Sequence, residues 1–245
     1  MESIREPFLD KSSQKRTPHD ADRNRTLASA QHAELVPWQI IFFLNVFLAC
    51  VSFSIVMPSL WLYLHSMKAS KPFYAAVVAI YSVGEAIGSI ALGSLSNVIG
   101  TRRTLMLCII IAFSGAAAYA LADLAQRVAP AIDAPFIVLA GRLLQGIGSG
   151  GQQAVEQAYL SVAAPPEQRT ELTGRLSTFA CLGFIFGPAL GAAVSQLPQF
   201  AVGALHFTSF TMQGWFMALS NLVMFAFTLC FVERTRDALA EASSL

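Results

Sequence analysis

Between Phe136 and Val162 the chain is apolar for 27 residues, enough to cross a bilayer as one helix at about 1.5 Å per residue. Along it stand Arg142, Gln145, Ser149, Gln152, Glu156 and Tyr159. Their spacings of 3, 4, 3, 4 and 3 follow the helical period, so all six fall on one face. A charge at the bilayer centre costs about 2.5–3.5 kcal/mol even on the lenient insertion scale, and this segment carries two. Such a stripe cannot face lipid. It faces a packed seam or a water-filled route, and the two charges point to a route.

Five more apolar segments accompany it, at about Pro37–Leu64, Phe73–Leu95, Thr104–Leu124, Leu172–Ser195 and Gly214–Val232. Each is long enough to span. Backbone groups in lipid must be satisfied within their own segment, so the sequence predicts an all-α membrane protein with six transmembrane helices. Only 13% of residues are charged, against about 25% in soluble domains. Residues 1–36 mix six acids with six bases, cannot build a core, and read as a disordered tail. No apolar run starts near Met1, so the tail is not a secretory signal. Glu6-Pro7-Phe8-Leu9 only loosely matches an acidic dileucine sorting signal. Residues 37–232 form the bundle, and 233–245 begin a cytosolic loop or tail.

Basic residues orient the bundle. With the tail in the cytosol, that side holds twelve Lys and Arg, including Arg102, Arg103, Arg169, Arg175, Arg234 and Arg236; the other side holds Lys68, Lys71 and Arg127. Both termini are therefore expected in the cytosol, where the sequon Asn24-Arg25-Thr26 stays bare.

The remaining composition narrows function by exclusion. The net charge of +1 offers nucleic acid no attraction. Cys50, Cys108, Cys181 and Cys230 sit singly in separate apolar segments, as buried small hydrophobes do. No Ser/His/Asp or Cys/His grouping stands out, so no enzyme, metal or cofactor is expected. Gly146-Ile147-Gly148-Ser149-Gly150-Gly151 spells G-x-G-x-x-G, but inside an apolar helix rather than between strand and helix, so it is no dinucleotide site.

Polar and small residues elsewhere extend the pattern. Asn45, Ser52 and Ser59 stand seven apart on the first segment, as packing seam or cavity lining, and Pro58 should bend that helix near its outer end. Gly84, Gly88 and Gly93 on the second segment match Gly183, Gly187 and Gly191 on the fifth, where close backbone approach is expected. Segments two and five correspond in a three-plus-three inverted repeat of the transporter kind. Glu85 is a third intramembrane charge, either pairing with Arg142 or binding a proton.

Three motifs in this order resemble the major facilitator superfamily. Gly93-Ser94-Leu95-Ser96-Asn97-Val98-Ile99-Gly100-Thr101-Arg102 follows the family loop G-x-L-x-D-[RK]-x-G-[RK]-[RK] at Gly93, Leu95, Gly100 and Arg102, with Asn97 in place of the acid and Val98 and Thr101 in place of bases, which weakens its charge relay. Arg142-Leu143-Leu144-Gln145-Gly146-Ile147-Gly148 matches R-x-x-Q-G-x-G. Gly183 to Gly191, with Pro188, matches G-x-x-x-G-P-x-x-G, typical of exchangers. The resemblance covers about Trp38–Val232. Phe53-Ser54-Ile55-Val56-Met57 and Ala79-Ile80-Tyr81-Ser82-Val83-Gly84 are similar in particular to the endolysosomal, ceroid-lipofuscinosis-type branch.

The resemblance implies one six-helix half of a twelve-helix secondary transporter working by alternating access, in a vacuolar or lysosomal membrane, with chloride or another anion as cargo. Arg142 would hold an anionic group or gate a proton. Glu85 and Glu156 would carry protons, and Gln145, Ser149, Gln152, Asn45 and Ser52 would line the route. Gly93, Gly100, Arg102, Gly183, Gly187, Pro188 and Gly191 would serve conformational change. Half the family's length implies either a fragment, or six helices that pair with another copy or a second six-helix half. An anion channel on the same fold, and a non-transporting protein that regulates a relative, are the other functions such a chain supports.

Overall fold

The computed structural model describes residues 37–129, 133–203 and 205–243. The tail expected at 1–36, with its sequon and Glu6–Leu9, lies outside them. Helix α1 (Pro37–Ser54) and helix α2 (Met57–Ser66) form a broken span bent by 40°. Pro58 lies in the first turn of α2, where its missing N–H removes no helical bond. The bend therefore sits at Ile55–Val56, just before the proline.

Helix α3 (Lys71–Ile99) starts at Ser70, whose hydroxyl accepts from the Phe73 amide at 3.4 Å. It stops at Gly100, whose φ of +87° suits glycine, and α4 (Thr101–Val128) follows at once. Helix α5 (Ala134–Ala163) carries the polar row, and α6 (Pro166–Ser195) contains Pro188 in its interior. Strands β1 (Phe200–Val202) and β2 (Leu205–Phe207) form an antiparallel hairpin between α6 and α7 (Thr211–Ser243). Sequence periodicity gave no hint of this hairpin, since three-residue strands are too short to show alternation. Residues 233–243, expected as loop or tail, continue the α7 helix.

Among the described residues, four helices are long and apolar enough to cross a membrane: α3, α4, α6 and the Thr211–Leu229 part of α7; the α1–α2 pair, taken as one span, makes a fifth. The sixth expected span, α5, has the length at 30 residues but falls short in hydropathy. Its polar residues and glycines lower the average, which costs nothing here because α5 is enclosed: it packs along both α3 and α4.

The bundle repeats its own packing. Helix α3 lies along α5, and α6 lies along α1, the equivalent pair in a three-plus-three inverted arrangement. Both contacts are made backbone to backbone. A Cβ on Gly84 would come within 2.5 Å of the Leu143 carbonyl oxygen, and one on Gly183 within 2.5 Å of that of Phe47. Helix α4 packs on α7 across the middle.

Candidate functional site

The glycines bring α3 and α4 so close to α5 that its polar row is sealed in. Arg142, Gln145, Ser149, Gln152 and Glu156 are all buried, Arg142 completely. Tyr159, the sixth member expected, leaves the row: its ring packs edge-on against Trp38 and Phe42 at 5.4 and 5.3 Å.

Two clusters form along α5. In the first, Asn45 from α1 donates its Nδ2–H to Glu156 Oε1 at 3.0 Å, and Gln152 donates to the same oxygen at 3.2 Å. Glu156 is 1% exposed, and its Oε2 meets no hydrogen-bond partner among the described residues. In the second, Arg142 Nη1 donates to Gln145 Oε1 at 3.0 Å, while Gln145 Nε2 approaches Met217 Sδ of α7 at 3.8 Å. The Arg142 guanidinium carbon lies 4.7 Å from the Tyr81 ring centre and 5.3 Å from that of Phe53. Those two rings are themselves 4.6 Å apart, so they form one aromatic wall on one side of the cation.

Of the two roles left open for Glu85, an ion pair with Arg142 is not made within 4.0 Å. Among the described residues the ion pairs within 4.0 Å are Arg127–Asp123 and Arg175–Glu171, both exposed and both i,i+4. Glu85, half-buried, lines a small cavity with Cys50, Phe53, Tyr81, Ser149 and Gln153. A neighbouring cleft encloses ≈ 450 Å³ of open space beside Asn45, Ser52, Gln145, Ser149, Gln152 and Asn221. Tyr81 and Ser149 border both spaces. Ser52 thus reaches the same cleft as Asn45. Ser59, the third of that stripe, lies beyond the helix break and donates to Gln213 Oε1 at 2.5 Å.

The conformational residues fall at helix contacts. Gly187 and Gly191 press on Ser54 and Ile55 at the break in the first span, and Ser54 Oγ donates to the Gly183 carbonyl at 3.2 Å. Gly93 faces Ala154, Gly100 makes the α3–α4 turn, and Arg102 Nη2 donates to the Leu229 carbonyl of α7 at 2.9 Å.

Several site residues escape a reading of the stripe alone. Phe53 and Tyr81 wall off the arginine; Tyr81 shares its helical face with Gly84 and Gly88, a spacing that could have exposed it. Gln213 is fully buried and donates to the Gly191 carbonyl at 3.3 Å and Ser195 Oγ at 3.1 Å. It stands one residue before the apolar run that begins at Gly214, which is why it reads as loop.

A family profile described as Major Facilitator Superfamily matches residues 42–244. The chain is 29% identical over 245 residues to "Major facilitator superfamily domain-containing protein 8" of Xenopus laevis, covering 92% of this chain and 47% of that protein. It is 33% identical over 166 residues to "Probable plastidic glucose transporter 1" of Arabidopsis thaliana, covering 66% of this chain and 29% of that one. Among solved structures, the proton:xylose symporter XylE bound to 6-bromo-6-deoxy-D-glucose superposes with a TM-score of 0.67 at 14% identity, over 79% of this chain and 44% of that chain. The chain thus spans about half or less of the length of these relatives.

Proposed function

This chain belongs to the Major Facilitator Superfamily, and we propose that it forms one half of a secondary transporter that moves a small solute by alternating access, linked to protons or an anion. One observation carries this reading. Arg142, Gln145, Ser149, Gln152 and Glu156 form a buried row on α5, flanked by a cleft that Asn45 and Ser52 also line. A structural salt bridge would explain two buried charges of opposite sign, but Arg142 and Glu156 do not pair. Leaving a buried charge without its counter-ion costs about 3–5 kcal/mol. Keeping two such groups apart fits ligand binding better than stability.

Arg142 holds the anionic part of the solute. Glu156 and Glu85 carry protons: on Glu156 two amides donate to Oε1, leaving Oε2 to bear the proton. The glycine contacts of α6 on α1, at the break, let that helix rock. Both termini face the cytosol, the side on which the basic residues concentrate, and the motif resemblance at Phe53–Met57 and Ala79–Gly84 favours an endolysosomal or vacuolar membrane. The exposed apolar side chains of α6, Phe184, Ile185 and Phe186, give a second six-helix unit or another copy a surface to meet.

Reconstitution into liposomes with an enclosed pH dye tests the transporter. Flux driven by an imposed gradient is expected from the complete transporter that contains this half, and lost in its Arg142→Ala variant inserted to the same level. Undiminished flux in Arg142→Ala removes the assigned role.

A further inference from the structure

The donor geometry around Arg142 restricts what the site can take. Nη1 is occupied by Gln145. Nε and Nη2 are buried and meet no hydrogen-bond partner among the described residues. These two N–H groups lie on the same side of the guanidinium and point the same way, the fork that binds both oxygens of a carboxylate at once. A spherical halide satisfies one direction well and the pair poorly.

Charge limits the ligand further. Arg142 is the one Lys or Arg that is buried among the described residues, so one negative charge neutralises it, and a dianion such as phosphate would leave a surplus buried charge. Phe53 and Tyr81, which stand against the cation, give the neighbouring cavity an aromatic side together with Phe184, alongside the polar lining of Glu85, Ser149 and Gln153.

We infer that the Nε/Nη2 edge of Arg142 is the recognition fork for a small monocarboxylate with an apolar body, admitted when the Phe53–Tyr81 wall swings aside. This deepens the transport reading above and rests on its assignment of Arg142 as the anion-holding residue. Tyr81 and Phe53 become the elements that decide access, and Arg142 the element that decides headgroup.

The test is ligand-dependent thermal unfolding of the full chain in lipid nanodiscs, with sodium benzoate and lactate against sodium chloride and sodium phosphate at matched ionic strength. Benzoate is expected to raise the midpoint saturably, lactate less, and chloride and phosphate not at all. Arg142→Lys keeps the charge but loses the fork, and should weaken half-saturation by benzoate at least about tenfold. Should that variant fail to fold, Tyr81→Ala decides: with the wall removed and Arg142 intact, benzoate should half-saturate at a severalfold lower concentration.

Equal shifts from chloride, retention of the benzoate response in Arg142→Lys, or an unchanged response in Tyr81→Ala each overturn the inference. So does a benzoate shift seen only in Glu85→Gln, which would assign the fork to the Glu85 carboxylate. Flux that depends on Arg142 but shows no carboxylate preference would sink this inference and leave the transporter standing. Benzoate binding without flux would do the reverse.

Discussion

The close approach of α3 to α5 makes a graded prediction. A Cβ placed on Gly84 would meet three backbone atoms, the Leu143 carbonyl oxygen at 2.5 Å, the Ile147 nitrogen at 3.0 Å and the Gly146 Cα at 3.1 Å, where ordinary contact begins at 3.4 Å. None of these is the end of a flexible side chain, so the helices themselves must part. Overpacking of this kind costs about 1–3 kcal/mol, and a backbone clash belongs at the top of that range. Alanine recovers about 0.5–1 kcal/mol of helix propensity, leaving a net loss of about 2 kcal/mol. For a chain of this size that lowers the unfolding midpoint by about 4–8 °C.

Two controls on the same chemistry frame the result. A Cβ on Gly93 meets only the Ala154 Cβ, at 3.3 Å, and one on exposed Gly174 meets nothing within 4 Å. Gly93→Ala should melt near the parent, and Gly174→Ala about 1–4 °C above it. The assay is thermal unfolding in detergent followed with a thiol-reactive dye, which reports the exposure of Cys50 and Cys108, both buried. If Gly84→Ala melts with the parent, or Gly174→Ala falls as far as Gly84→Ala, backbone contact is not what holds α3 to α5.

Two further predictions concern buried amides. Asn45→Leu removes one of the two donors to Glu156 Oε1 and should cost about 1–3 kcal/mol; in a Glu156→Leu background the same change should cost far less, and equal costs in the two backgrounds would refute the coupling. Gln213→Leu removes the links from α7 to Ser59, Ser195 and the Gly191 carbonyl. It should cost about 1–2 kcal/mol and speed hydrogen exchange at residues 191–216 while leaving α3 and α5 protected; exchange raised equally throughout would count against a local role.

The sequence carried the periodic features well. The row from Arg142 to Glu156 was legible because a 3-and-4 spacing fixes a helical face without knowledge of neighbours. The two glycine triads were legible for the same reason, and all but Gly93 stand where two helices approach backbone to backbone. What each polar residue meets was not legible. Arg142 and Glu85 stand on adjacent helices, yet Arg142 rests against Tyr81 and Phe53 because the α3–α5 register, set by Gly84 and Gly146, puts the Tyr81 ring there. Ser59 looked continuous with Asn45 and Ser52 until the break at Ile55–Val56 turned it toward α7. Gln213 was missed because a hydrophobicity window discards a polar residue at the edge of a run, whereas tertiary packing buries it.

Arg142, Glu85 and Glu156 lie within the membrane span, and none is cancelled by an ion pair among the described residues. An uncancelled charge that shifts its exposure from one face to the other moves through the transmembrane voltage, at about 2.3 kcal/mol per elementary charge per 100 mV. In the transport cycle proposed above, every proton or anion taken up would change the interior charge by one unit and so change which half of the cycle the voltage drives. The empty and loaded states would then differ electrically. The sign of the current would tell whether the arginine or a carboxylate travels charged.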